Sequence, residues 1–326
     1  MEYNTFFTHD EVSLYKEKRE IRKAAGKVGL SLLSLFVIMS GWSFVFLRLM
    51  GNLGFDRNYV LKLTENPIVN ELLQISVSII MFVIPTFLLL RITHSKLRDF
   101  DIFKGPALKS KAVFPAALGF CLLASQLNNV FSNVFASFGI TFPSMDRELP
   151  EGVIGFLLVL ISTTAFPALL EELLMRGAVL GVLRKFGDSF AIVASSLLFA
   201  FMHASLIQFP FAFLVGLILG FVTVKTNSIW PAVIIHAMNN FVSVVFSFLN
   251  ETLNKGTANI IFSLFLIVLF AISAVSIAMV SKDKEFLKVE IAQTTATESK
   301  KIGWFLSTPW IIVSFCVALA FAIFLR

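Results

Sequence analysis

The chain has 326 residues, is 57% hydrophobic and 15% charged, and carries a formal net charge of +6 at a mean hydropathy of +0.84. Soluble domains carry about 25% charged residues, so most of this chain does not face water. Its basic residues sit in short clusters between apolar runs, not on a polar basic face, which excludes a nucleic-acid binder. Cys121 and Cys316 each lie inside an apolar run, so neither a disulfide framework nor a CxxC metal site is present.

In chain order, residues 1–27 are polar and basic, and the first apolar run is long enough to span, so no cleavable signal peptide is expected. A span needs about 20 mostly apolar residues. The runs that qualify are Val28–Leu47, Leu72–Leu90, Ala112–Ile140, Gly152–Leu183, Ser189–Ala204, Gln208–Val224, Ile229–Leu249, Ile260–Val280 and Trp304–Leu325. The third and fourth exceed a simple span and should tilt, kink or project, with Pro115 and Pro167 as kink points. The fifth and sixth are joined only by Ser205–Ile207. The expected fold is an all-α polytopic membrane protein of about eight to nine transmembrane helices. Its expected parts are a basic N-terminus (1–27), N-terminal helices (28–149), a core (150–250) and C-terminal helices (251–326).

Charge sets the expected orientation. With the N-terminus in the cytoplasm, that side holds Lys16–Lys27, the loop Arg91–Lys111 (with Lys104 and Lys109), Arg184, Lys185, Lys225 and the charges of Lys282–Lys301. The other side holds only Arg48, Arg57, Lys62, Arg147, Lys255 and Arg326. This is the positive-inside asymmetry of a multi-pass protein. The basic clusters are expected to touch anionic lipid head groups.

The ionisable residues inside the runs are few. The fourth holds Glu171, Glu172 and Arg176; the fifth holds His203; the seventh holds His236. A charge at mid-bilayer costs roughly 2.5–3.5 kcal/mol on insertion scales, and such residues normally pair or line a wet cavity. Glu172 and Arg176 are i, i+4 with the acid first, the favoured order for a helical ion pair. Glu171 lies about 100° around the helix and is left for other work. His236 and Asn240 are also i, i+4, as are Phe199 and His203. At 1.5 Å per residue, Glu171 lies ~20 Å above Arg184 and His203 ~22 Å above Asp188, so the two are level. His236 lies only ~9 Å above Trp230, and Asn240 ~15 Å, so the seventh run must start deeper or the site must be inclined.

A glutamate and a histidine around a water make a general base for hydrolysis. A second histidine and an asparagine amide suit an oxyanion site. Glu171, His203 and His236 are equally a His2Glu set of the kind that holds zinc. No HExxH is present, which excludes a conventional zincin helix. The residues alone leave both open.

Glu171-Glu172-Leu173-Leu174-Met175-Arg176 resembles the EExxxR motif of the CPBP (Abi) family, which groups the CAAX prenyl endopeptidases with bacteriocin-processing and self-immunity proteins. Phe199–His203 resembles its FxxxH motif and His236–Asn240 its HxxxN motif. Each alone is weak; all three in order are specific. The resemblance covers roughly Gly152–Leu249. It implies a CAAX-protease-like helical bundle in which Glu171 and His203 activate water. It implies His236 and Asn240 as the oxyanion site, with Glu172, Arg176 and Phe199 in support. The family is described both as metal-dependent and as metal-free. Asn240 suits an oxyanion donor better than a zinc ligand, so no metal is expected; a zinc enzyme would use Glu171, His203 and His236.

The expected activity is endoproteolysis of a membrane-associated or hydrophobic peptide or protein in the bacterial cell membrane. A non-enzymatic scaffold or self-immunity protein on the same fold is the alternative. A transporter is disfavoured, because no internal repeat is found. Gly177-x-x-x-Gly181 and Gly216-x-x-x-Gly220 read as close helix packing. The polar run Gln126–Asn133 reads as packing or as a cavity wall. His9 and His94 read as solvated.

Overall fold

The computed structural model describes residues 9–100, 111–139, 150–289 and 294–324. Ile140, Leu325, Lys104, Lys109, Arg147 and Arg326, named above, lie outside them. The described residues are helical, with no β-strand among them. The longer helices are α1 (His9–Asn52), α2 (Arg57–Thr64), α3 (Pro67–Thr93), α4 (Val113–Ser137) and α5, the composite Gly152–Phe186. They continue as α6 (Asp188–Met202), α7 (Gln208–Thr226), α8 (Trp230–Thr252), α9 (Lys255–Val280), α10 (Glu298–Leu306) and α11 (Pro309–Phe324).

Seven of these helices are long and apolar enough to cross a membrane, and an eighth crossing forms if the bent pair α10 and α11 is one span. This is an integral membrane protein. The expected fifth span is corrected by its length: α6 has 15 residues, about 22 Å, against a hydrocarbon core of about 30 Å. It forms a hairpin with α7 instead. The chain reverses after Met202, where Ala204 adopts φ 46°. The expected ninth span is bent by 68° between Leu306 and Pro309. Proline cannot continue the preceding helix. Pro115 makes no kink. It lies in the first turn of α4, where the backbone N–H has no intrahelical partner to lose.

The hairpin is tight because α7 is smooth. A Cβ on Gly216 would stand 2.9 Å from Ser196 Cβ and 3.0 Å from Ser196 Cα, and one on Gly220 would stand 3.2 Å from Ile192. Gly216→Val is therefore expected to destabilise by about 1–3 kcal/mol through overpacking. A melting temperature equal to that of the unaltered protein would show that the two helices do not meet there.

The basic helix ends gather on one face. Lys301 Nζ donates to the Phe186 carbonyl at 2.8 Å. Arg184 Nη1 donates to Asn227 Oδ1 at 2.8 Å, and Lys225 Nζ to the Lys288 carbonyl. One cleft joins the start of α1, the end of α3 and the start of α11. From this face α5 and the α6–α7 hairpin reach inward to the polar site.

Candidate active site

The geometry starts from α5. Two π-helical stretches, Ile161–Ala165 and Leu173–Leu180, flank the α-helical turn Phe166–Glu172. Such bulges recur at functional sites because they re-aim side chains within an otherwise regular helix. Pro167, expected as a kink point, supplies a local cause for the first. It has no N–H for the carbonyl four residues earlier, that of Thr163. Asn240 Nδ2 donates to that carbonyl at 3.3 Å. An amide group carries two N–H donors, so one proton anchors Asn240 and the other is left for a ligand.

The second stretch begins at Leu173 and contains Arg176, which is fully buried. Arg176 Nη1 donates to Glu172 Oε1 at 3.0 Å, and Nη2 donates to the Gly216 carbonyl at 3.1 Å. Its guanidinium carbon stands 4.5 Å from the centroid of Phe199. Gly216 therefore does more than permit close packing, since its carbonyl is a ligand of the buried cation.

Glu172 is not occupied by Arg176 alone. His236 Nδ1 lies 3.0 Å from the same Oε1. A carboxylate beside a cation accepts, so Nδ1 is the donor and Nε2 faces away from Glu172. That Nε2 stands 3.9 Å from Glu171 Oε2. Glu171 Oε2 is buried and has no hydrogen-bond partner. The arrangement is thus Arg176–Glu172–His236, with Glu171 at its open end.

His203 is the C-cap of α6, and its Nδ1 lies 2.7 Å from the Phe199 carbonyl. A carbonyl only accepts, so Nδ1 carries the proton and Nε2 is bare. Phe199 holds the two rings apart. Its ring meets His203 edge-on at 4.9 Å and His236 edge-on at 5.7 Å. The chain therefore brings Glu171, Glu172, Arg176, Phe199 and His236 into one contact network. His203 joins it through Phe199, and Asn240 stands on the same helix as His236, anchored on α5. Among the described residues, neither His203 nor Asn240 hydrogen-bonds a carboxylate.

The count of 1.5 Å per residue assumed α-helix throughout α5, whereas the wider π coil of Leu173–Leu180 advances less per residue, which lowers Glu171 toward the level of His236.

One buried acid escaped the sequence reading. Glu71 lies a single residue outside the apolar run that begins at Leu72, but α3 starts at Pro67 and carries it inside, where it is buried. Ser162 Oγ donates to Glu71 Oε2. Ser162 adjoins Thr163 in the first π stretch, so Glu71 bears on the segment that anchors Asn240. Asn66 at the N-cap, followed by Pro67, is the signal that would have extended the helix. Ser125 of α4 donates to Asn239 at 3.2 Å, which places the start of the polar run of α4 against α8.

Zinc was tested on the donors themselves. Among the described residues, no group of three or more His, Cys, Asp and Glu side chains is placed to hold a metal ion. Both histidine Nδ1 atoms are committed, to Phe199 and to Glu172, which leaves each Nε2 open to a ligand, so the misfit lies in the spacing of the three side chains. The set Glu171, His203 and His236 does not fit as arranged.

Residues 153–242 match the family model described as Type II CAAX prenyl endopeptidase Rce1-like. This segment is Rce1-like. The Rce1-like match runs from the first turn of α5 into α8 and contains all three motifs, while α1–α4 and α9–α11 lie outside it. Comparison with curated proteins and with solved structures gave no match. Over residues 153–242 the chain is similar to that CAAX-type protease family, and the match covers less than half of its length.

Proposed function

We propose that the chain is an intramembrane endopeptidase that hydrolyses a peptide bond in a membrane-associated or hydrophobic peptide or protein, with water activated by Glu171 and His203. One observation carries this reading: Glu172 and Arg176 each make hydrogen bonds in the cluster, although Glu172 Oε2 and Arg176 Nε stay unpartnered, whereas among the described residues Glu171 makes none and its Oε2 is buried. A buried carboxylate oxygen without a hydrogen bond is costly to keep, and as an acceptor it is suited to take a proton from water.

In this mechanism Glu171 takes a proton from water, assisted by the bare Nε2 of His203. The hydroxide adds to the scissile carbonyl. The resulting oxyanion accepts from the free N–H of Asn240 and from His236 Nε2 when that nitrogen carries a proton. Arg176 and Glu172 act on His236 by fixing its ring. Collapse breaks the C–N bond, and the proton held at Glu171 goes to the leaving amine. No step passes through a metal. Activity at well under one zinc per chain is the expected result of metal analysis.

The reading is tested by mapping new protein N-termini by mass spectrometry in membranes of cells making the wild type, Glu171→Gln or His203→Ala. Cleavage sites present only with the wild type are expected; the same sites in all three would end the proposal. Asn240→Ala is expected to lower kcat on a mapped substrate by about 10²–10³-fold, the cost of an oxyanion donor. Pro167→Ala returns an N–H to compete for the Thr163 carbonyl, and about a tenfold fall is expected, one hydrogen bond's worth. Unchanged kcat in Pro167→Ala would separate Asn240 from that carbonyl.

A further inference from the structure

A cleft of ≈ 770 Å³ that shares no lining residue with this site lies on the face where the basic helix ends gather. Its outer wall is one face of α1, bearing Lys18, Arg19, Arg22, Lys23 and Lys27. These recur at spacings of three and four, which is one stripe of a helix. Lys23 pairs with Glu20 at 3.1 Å. Lys18, Arg19, Arg22 and Lys27 have no carboxylate partner among the described residues. Like charges at i, i+4 repel, and Lys18–Arg22, Arg19–Lys23 and Lys23–Lys27 are all such pairs. Among the described residues, four of its five cations therefore lack a paired carboxylate.

The inner wall is different in kind. It is formed by Leu30, Ile92, Pro309 and Trp310, all apolar or aromatic. The level of this change is fixed by three helices at once. The apolar run of α1 begins at Val28, α3 ends at Thr93 and α11 begins at Pro309. The cations thus stand where three spans enter the hydrocarbon, and the apolar wall stands just beneath them. The 68° turn between α10 and α11 forms the corner of the cleft. Trp310 and Tyr15, both exposed on its rim, are the residue types that settle at membrane interfaces.

We propose that this cleft binds the phosphate head group of an anionic glycerophospholipid, with the first part of an acyl chain against the apolar wall. A free phosphate would satisfy the cations and leave the apolar wall unused. An acidic peptide would not be drawn to a wall at acyl depth. A basic recess between transmembrane helices is the form that anionic head-group sites take. This inference does not depend on the proteolytic reading.

Native mass spectrometry of the detergent-solubilised full chain, titrated with dioleoylphosphatidylglycerol or dioleoylphosphatidylcholine, tests it. The unaltered chain is expected to retain phosphatidylglycerol and not phosphatidylcholine. Lys18→Gln/Arg22→Gln/Lys27→Gln removes three cations and is expected to weaken that retention on the order of 100-fold. Lys282→Gln/Lys284→Gln, which removes two exposed cations outside the cleft, should leave it within about twofold, the scatter of unrelated surface changes. The altered residues are exposed or half-buried, and an unchanged melting temperature confirms that the chains are folded. Equal loss in both variants, equal retention of the two lipids, or displacement by inorganic phosphate at matched concentration overturns the proposal.

Discussion

Glu171→Gln is expected to lower kcat by about 10²–10⁴-fold, the range of a lost general base, with little change in melting temperature. The two effects separate for a physical reason. Glutamine has the shape of glutamate, and Oε2 makes no hydrogen bond in the fold. Its charged neighbour is His236 Nε2 at 3.9 Å, beyond hydrogen-bond reach, so the change removes chiefly what the charge does to a ligand. His203→Ala should lower kcat comparably with little change in melting temperature, because its ring leans only on its own helix, through Phe199 and the Phe199 carbonyl. Full activity in both folded variants would assign the buried acid and the bare imidazole to something other than hydrolysis. A loss in both that came with unfolding would count for nothing, so the melting curve is measured beside kcat.

The site was legible to the extent that its residues are expensive. Charged residues inside apolar runs stand out in any sequence, and the helical spacing of Glu172 and Arg176 points to their contact without a structure. Most of the helix boundaries followed from run length alone. What did not follow was anything governed by backbone outside α-helical geometry. The π stretches of α5 arise where a proline removes an N–H and where several helices press on a buried cation, and periodicity does not report either. The second of these stretches shortens the depth count for Glu171, which was made at α-helical rise. Glu71 escaped because a single polar position at the edge of a run looks like an end, whereas the Asn66 cap places that end five residues earlier. The short α6 was read as a span because apolarity reports burial, and a hairpin packed among other helices is as apolar as a helix in lipid. The second contact of Glu172, to His236, joins residues 64 apart in sequence and carries no local signature.

Arg176→Met is expected to be the most damaging substitution to the fold, at about 3–5 kcal/mol, because it strands a buried charge. The guanidinium is fully buried and meets three different groups: Glu172, the Gly216 carbonyl and the face of Phe199. They come from α5, α7 and α6, so one cation ties the hairpin to the helix that carries both glutamates. Methionine fills much of the volume but leaves Glu172 ionised among apolar neighbours with only His236 to meet it. The pairwise part of this cost is separable. Glu172→Gln/Arg176→Met removes both charges, and replacing a buried ion pair by uncharged groups is often near neutral. The double variant should therefore melt well above Arg176→Met alone, while remaining slow in cleavage, since His236 then loses the carboxylate that fixes its ring. If the double variant melts no higher than the single one, Arg176 stabilises through the Gly216 carbonyl and Phe199, and Glu172 belongs to His236 alone. Either outcome assigns the second glutamate of the motif a partner. Only recovery of stability without recovery of kcat is consistent with one side chain that both neutralises a cation and aims an imidazole.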